Sequence, residues 1–271
     1  AVVAACCGMA LALSGVVLQA LLRNPLADPY VLGISAGAST GAVAVAILGL
    51  GAGILSLSAG AFIGALLAFA IVALLARAAG AGPSAAILAG VAGSQLFNAL
   101  TAFIIARSAN AEQARGIMFW LLGNLSGARW PDAALAAPVV ALGALVCFWQ
   151  VRALDAFTFG ADSAASLGVP VRPTQALLIG AAALMTAVMV SIVGSIGFVG
   201  LVIPHAARFV VGARHARLVP VAAIGGAVFL VACDVVARVI VPRQVVPIGV
   251  VTALVGAPAF ALILVRARRF R

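Results

Sequence analysis

Apolar residues run along this chain in long blocks, broken by single arginines, prolines and clusters of glycine. Alternating apolar and polar decads of the kind a membrane barrel needs are missing, so the blocks predict helices. About 20 helical residues cross a hydrocarbon core ~30 Å thick. Residues 1–22 form one span, stopped by Arg23-Asn24-Pro25. Residues 31–76 carry no charge over 46 positions, enough for two spans with the turn at Gly49, Gly51 and Gly53. A fourth span is expected over 84–106 and a fifth over 131–150. The uncharged stretch 173–207 has 35 residues, too long for one helix and too short for two. It reads as a span at 173–194, an irregular crossing marked by Gly194, Gly197 and Gly200, and a short helix near 202–212. The eighth span covers about 218–240 and the ninth about 247–265. The expected fold is therefore all-α, a polytopic helical membrane protein with nine visible spans in one transmembrane domain over 1–271.

Composition agrees with this pattern. Of 271 residues, 65% are hydrophobic and 8% charged, and mean hydropathy is +1.28. A soluble domain is roughly 45–50% apolar and about 25% charged, and no water-soluble fold of this size buries so much apolar surface. All 16 basic residues are arginine. Without a lysine there is no Walker A loop, so the chain is not itself a P-loop ATPase. The net charge of +10 is spread singly between apolar runs, apart from the tail Arg266, Arg268, Arg269 and Arg271, so no nucleic-acid partner is expected. Nine spans put eleven arginines on the tail's side (Arg23, Arg77, Arg152, Arg172, Arg208, Arg214, Arg217 and the tail four). Five lie on the other side: Arg107, Arg115, Arg129, Arg238 and Arg243. That excess places the tail in the cytoplasm. Ala1 opens inside an apolar run without an initiator Met, and one further span upstream would give ten, with both ends inside.

Several residues stand out within this frame. Gly33, Gly37 and Gly41, and Gly60 and Gly64, repeat at the four-residue spacing that lets helices pack closely in lipid. Ser94, Gln95, Asn98 and Thr101 form an uncharged polar stripe on the fourth span, read either as helix–helix glue or as the wall of a water-filled passage. Asp234 and Arg238 are i, i+4 near the outer end of the eighth span. They form either an internal ion pair or an arginine offered to an acidic partner. The connection 151–172 is too apolar for a simple linker. Asp162 is expected to cap a short helix ending at Gly168, suited to docking in a groove of another protein. His205 in the short helix and His215 in a cytoplasmic loop lack metal-ligand spacing, and Cys6, Cys7, Cys147 and Cys233 read as small buried hydrophobes. No catalytic residue, metal site or cofactor is expected. Pro258 should bend the ninth span.

Four stretches, in order, resemble the permease subunits of ABC importers for iron chelates, haem and vitamin B12, the type II importers. They are Arg23-Asn24-Pro25-Leu26-Ala27-Asp28-Pro29 with Leu32-Gly33-Ile34-Ser35-Ala36-Gly37-Ala38; Gly197-Phe198-Val199-Gly200-Leu201-Val202-Ile203-Pro204-His205-Ala206-Ala207-Arg208; Asp234-Val235-Val236-Ala237-Arg238; and Pro247-Ile248-Gly249-Val250-Val251-Thr252 with Gly256-Ala257-Pro258. The resemblance spans essentially the whole chain. It implies ten helices, of which the first and its following loop are absent here, and a homodimer in the bacterial inner membrane. It also implies two cytoplasmic ATPase subunits and one periplasmic substrate-binding protein as partners. Gly160, Ala164, Leu167 and Gly168 then match the ATPase-coupling helix, Asn98 lies on the helix lining the translocation pathway, and Arg238 matches a binding-protein docking arginine.

The expected function is transport of an iron chelate, haem or ferric siderophore, by ATP-driven alternating access. A cobalamin permease is one alternative; an ion-coupled secondary transporter is another, disfavoured because spans one to seven carry no carboxylate at mid-depth. No dedicated haem ligand is visible, since Tyr30 and both histidines fall toward the cytoplasmic half.

Overall fold

A computed structural model describes residues 1–51, 53–80, 82–108 and 110–269. Arg271 lies outside the described residues, as do the side chains of Arg266, Arg268 and Arg269. The described chain is helical without a strand: α1 (Val2–Leu21), α2 (Ile34–Leu48), α3 (Leu57–Ala78), α4 (Pro83–Ser108), α5 (Ala111–Leu121), α6 (Trp130–Trp149), α7 (Val151–Phe157), α8 (Ala161–Ser166), α9 (Val171–Val193), α10 (Val199–Val211), α11 (His215–Val239) and α12 (Ile248–Arg269). A 3-10 turn, Pro29–Leu32, precedes α2.

The nine expected helices are present. Six of them (α1, α3, α4, α6, α9 and α11) are long and apolar enough to cross a membrane, whereas Ile34–Leu48 and Val199–Val211 are shorter. These two shorter helices each follow an irregular segment, 22–33 before α2 and 194–198 before α10. A further helix, α5, lies between the fourth and fifth spans. Its start is fixed by a capping box in which Asn110 and Gln113 exchange side-chain bonds with each other's backbone N–H.

Helix α1 is buried nearly end to end, with α6, α9, α10 and α11 around it. Helices α2, α3 and α4 pack as a second group, joined to the first through α9. In lipid these seams gain little from hydrophobicity, and close backbone approach replaces it. A methyl group added at Gly37 or Gly41 would collide with the carbonyl oxygens of Gly64 or Gly60. The same holds between Gly8 on α1 and Gly226 on α11. Polar bonds cross the bundle too: Ser14 Oγ donates to the Ala182 carbonyl at 3.2 Å, and Thr186 Oγ1 reaches Ser14 at 3.3 Å.

Irregular backbone inside a membrane protein survives only where other protein groups satisfy it. Here the irregular segments satisfy one another. The Tyr30 hydroxyl accepts from the Ile196 N–H at 2.7 Å and donates to the Ile196 carbonyl at 3.0 Å. Asn124 N–H donates to the Val193 carbonyl at 2.8 Å, and Ile248 and Gly249 N–H donate to the Gly123 and Leu122 carbonyls at 3.0 Å. This knot ties the crossing at 194–198 to the start of α12. It explains the glycine at 249, where a side chain would strike the Leu122 carbonyl. Helix α12 continues through Pro258.

Candidate functional site

The polar stripe of α4 divides between two environments. Thr101 is buried in the seam with α2, where its hydroxyl meets Thr40 Oγ1 at 2.8 Å and the Phe97 carbonyl at 2.9 Å. It serves as helix–helix glue rather than as part of an open wall. Gln95 and Asn98 face outward and bond each other at 3.4 Å, with Ser94 half-buried beside them. The reason is the 3.6-residue period: positions 93, 97 and 101 form the packed face, and 95 and 98 fall on the opposite side.

The connection 151–172 folds as two short helices rather than one. Gly160, at φ 109°, caps α8 with no side-chain cap; Asp162 lies in the first turn and does not cap it. The end of α8 is a Schellman closure: Val169 N–H reaches the Ala164 carbonyl at 3.0 Å and Gly168 N–H the Ala165 carbonyl at 2.9 Å, with Gly168 left-handed at φ 82°. Ala164 is fully buried in the bundle's own core, so its methyl anchors α8 instead of meeting a partner. Leu167 is 72% exposed and Phe159 76%, and these two apolar side chains bracket α8. Phe159 was not singled out by sequence. An aromatic residue directly before a glycine and a run of small residues was the available signal.

The same segment is fastened to α11. His215 is not in a loop: it is the first residue of α11 and 1% exposed. Asp155 of α7 accepts from its backbone N–H at 2.9 Å and from its Nδ1 at 2.7 Å, capping α11 from outside the helix. Sixty residues separate the partners, so spacing alone could not reveal the pair.

At the other end of α11, Arg238 Nε lies 3.1 Å from Asp234 Oδ1, with the Arg238 side chain 43% exposed and that of Asp234 11%. The i, i+4 pair is formed, and the guanidinium still reaches the surface. Both residues border a cavity of about 420 Å³ that also takes in Arg129 and the start of α1. The structure thus gathers Arg129 and Arg238 at one end and Arg23 and Arg208 at the other, the partition expected from charge alternation.

The remaining motif residues build the end near Arg23. Asn24 Oδ1 accepts from Leu26 N–H at 2.9 Å, turning the chain at Pro25. Gln19, a lone amide in an apolar helix, donates to the carbonyls of Gly200 at 3.1 Å and Ala27 at 3.3 Å, and its oxygen accepts from the Arg208 guanidinium. Gly200 lies against Pro29 Cδ, where a methyl would approach to 2.6 Å. Gly197 has open space around it. Pro204 is buried inside α10, and His205 packs edge-to-face on Phe209 at 5.3 Å. Pro247 leads into the α12 knot. Among the described residues no group of three His, Cys, Asp or Glu side chains is placed to hold a metal ion, and the four cysteines are free thiols.

A helical bundle with glycine-packed seams, an outward uncharged polar face and an exposed apolar pair beside a short helix is the build of a multi-pass membrane transport permease. The chain belongs to the FecCD transport family, whose model matches residues 1–266. It is 44% identical over 271 residues to the cobalamin import system permease protein BtuC of Halobacterium salinarum, covering 100% of this chain and 72% of that protein. It is 36% identical to the Fe(3+) dicitrate transport system permease protein FecD of Escherichia coli, covering 96% and 81%, and 36% identical to the hemin transport system permease protein HmuU of Yersinia pestis, covering 97% and 80%. Among solved structures, an inward-facing metal-chelate type ABC transporter superposes with a TM-score of 0.89 at 33% identity, covering 98% of this chain and 84% of the other. The chain is the permease subunit of an ABC importer and not an enzyme, since ATP is hydrolysed on separate subunits. Members of the family assemble with ATPase and binding-protein partners.

Proposed function

We propose that this permease, as one transmembrane domain in the bacterial inner membrane, pairs with a second copy of itself, two ATPase subunits and a periplasmic binding protein to import a bulky iron chelate, haem or a ferric siderophore. The observation that carries the reading is the exposed Phe159–Leu167 pair flanking a short helix whose fold is locked by Ala164, Gly160 and Gly168. An apolar pair held this rigidly on a surface suits a groove in a cytoplasmic partner, and amphipathic short elements dock in that way. ATP binding on the partner pulls this element, and the Asp155–His215 link passes the displacement to α11. At the far end of α11, Arg238 offers a guanidinium to an acidic group of the binding protein, where charge sets register and encounter rate.

Ser94, Gln95 and Asn98 form the pathway wall. An uncharged polar wall holds its cargo weakly, and a conduit must release what it admits. Tyr30 is spent on Ile196, so it offers no axial ligand to haem. Cobalamin is a second reading, favoured by the 44% identical relative. Reconstitution of the full-length permease with its ATPase and binding protein, followed by uptake of haem, a ferric siderophore and cobalamin in parallel, tests both. ATP-dependent uptake of an iron chelate is expected. Uptake of cobalamin alone selects the second reading, and uptake that persists without nucleotide or follows an ion gradient overturns both.

A further inference from the structure

At the end of the bundle near the α7–α8 element, Gln19, Arg23, Thr158, His205, Arg208 and His215 line a cavity of about 220 Å³. Its chemistry is one-sided. Among the described residues neither Arg23 nor Arg208 has a carboxylate within 4.0 Å. Among those residues Arg208 donates to Gln19 alone, leaving most of its five N–H groups unused. Two guanidiniums on one small cavity repel each other unless an anion lies between them. Arg23 is moreover held left-handed at φ 48°, in the Schellman position closing α1 that glycine favours. Strain kept at such a residue points to a task for its side chain. Gly160 makes room for that guanidinium, whose Nη1 would lie 3.2 Å from any Cβ there.

A second observation defines the ligand further. His215 is 1% exposed, and among the described residues its Nε2 has no hydrogen-bond partner, nor has Nδ1 of His205. In the neutral tautomer whose Nδ1–H donates to Asp155, the His215 ring presents Nε2 as an acceptor. The full complement is an oxyanion that also carries a hydroxyl. We propose that this cavity binds an anionic phosphate accompanied by a hydroxyl: the charged oxygens lie between Arg23 and Arg208 and the hydroxyl donates to His215. Hydrogen phosphate offers both in one group, and phosphatidylglycerol offers an anionic phosphodiester with free hydroxyls on its headgroup glycerol. Basic pockets between membrane helices on the cytoplasmic side are suited to anionic headgroups, and the neighbouring Leu26, Phe209 and Val210 are exposed to meet acyl chains.

The test uses the full-length permease in phosphatidylcholine nanodiscs, with thermal unfolding followed against added hydrogen phosphate or sulfate at matched ionic strength. A second preparation in phosphatidylglycerol nanodiscs has no free phosphate. Hydrogen phosphate should raise Tm and sulfate should not. Equal stabilisation by phosphatidylglycerol alone identifies the lipid as the source, whereas stabilisation by phosphate alone identifies the soluble ion. R23Q and R23G both remove the charge, and R23G also relieves the left-handed strain, so a folded variant is available. Both should weaken the response by about tenfold or more, the loss expected for a charged hydrogen bond. The proposal fails if neither probe stabilises the protein, if sulfate matches phosphate, if both Arg23 variants respond like wild type, or if stabilisation requires added ATPase subunits, which would assign the cavity to a partner's carboxylate.

Discussion

Asp155→Ala removes the one contact through which α7 caps α11. Two bonds disappear, to the His215 backbone N–H at 2.9 Å and to its Nδ1 at 2.7 Å. Loss of an N-terminal cap costs about 0.5–2 kcal/mol. Leaving the ring N–H of a buried histidine without an acceptor costs about 1–3 kcal/mol. The Asp155 side chain is 40% exposed, so water replaces part of what is lost, and the lower half of the sum applies: about 2–3 kcal/mol. For a chain of this size that lowers Tm by about 5–10 °C. Asp155→Asn keeps an oxygen able to accept both bonds and loses only the charge assistance, so its cost should be about half or less. Differential scanning fluorimetry on matched preparations reads the order wild type, D155N, D155A. In reconstituted transporter, D155A should also transport less substrate per ATP hydrolysed, because the displacement of α7 no longer reaches α11. A D155A variant with wild-type Tm and coupling, or a D155N variant as damaged as D155A, would refute the link.

Leu167→Asp and Phe159→Asp each force a charge into an apolar contact while sitting on the surface of the permease itself. Both should leave Tm within a degree or two and uncouple ATP hydrolysis from uptake; normal coupling in both would sink the docking assignment. Arg238→Glu should slow binding-protein association, most at low salt, as measured by surface plasmon resonance. If Tm falls while association is unchanged, the Asp234 pair is the whole role of this arginine. Tyr30→Phe leaves the Ile196 N–H and carbonyl without their partner, and should cost about 1–3 kcal/mol in thermal unfolding. An unchanged Tm there would mean that the crossing at 194–198 is held by its other bonds.

Helix positions were legible in the sequence because lipid imposes a length and forbids unpaired backbone, so arginines and glycines punctuate the chain where spans end. The turn at Gly49–Gly53 and the helix–crossing–helix reading of 173–212 follow from that rule. Helix α5 escaped it because Ala111–Leu121 is short and amphipathic, though Asn110 and Gln113 carried its start. The charge pair on α11 was legible because Asp234 and Arg238 are one turn apart. Asp155 with His215, Gln19 with Arg208 and Tyr30 with Ile196 were not, since each pair joins elements 60 to 189 residues apart.

Hydropathy and charge placement, read without coordinates, determine that this chain is a multi-pass helical membrane protein, and its ordered motifs determine its family. Both are local or composition-level properties, set by the cost of exposing polar backbone to lipid and by the spacing of arginines. Which face of each helix is packed was decided only by the tertiary structure. It turned Thr101 and Ala164 inward, left Gln95, Asn98, Phe159 and Leu167 outward, and drew Arg23, Arg208 and two histidines around one small cavity. Those choices depend on which backbones approach at Gly8, Gly37, Gly64 and Gly226; the four-residue glycine spacing at Gly37 and Gly64 marks helices able to pack closely, but which helix meets which has no signature in a linear pattern.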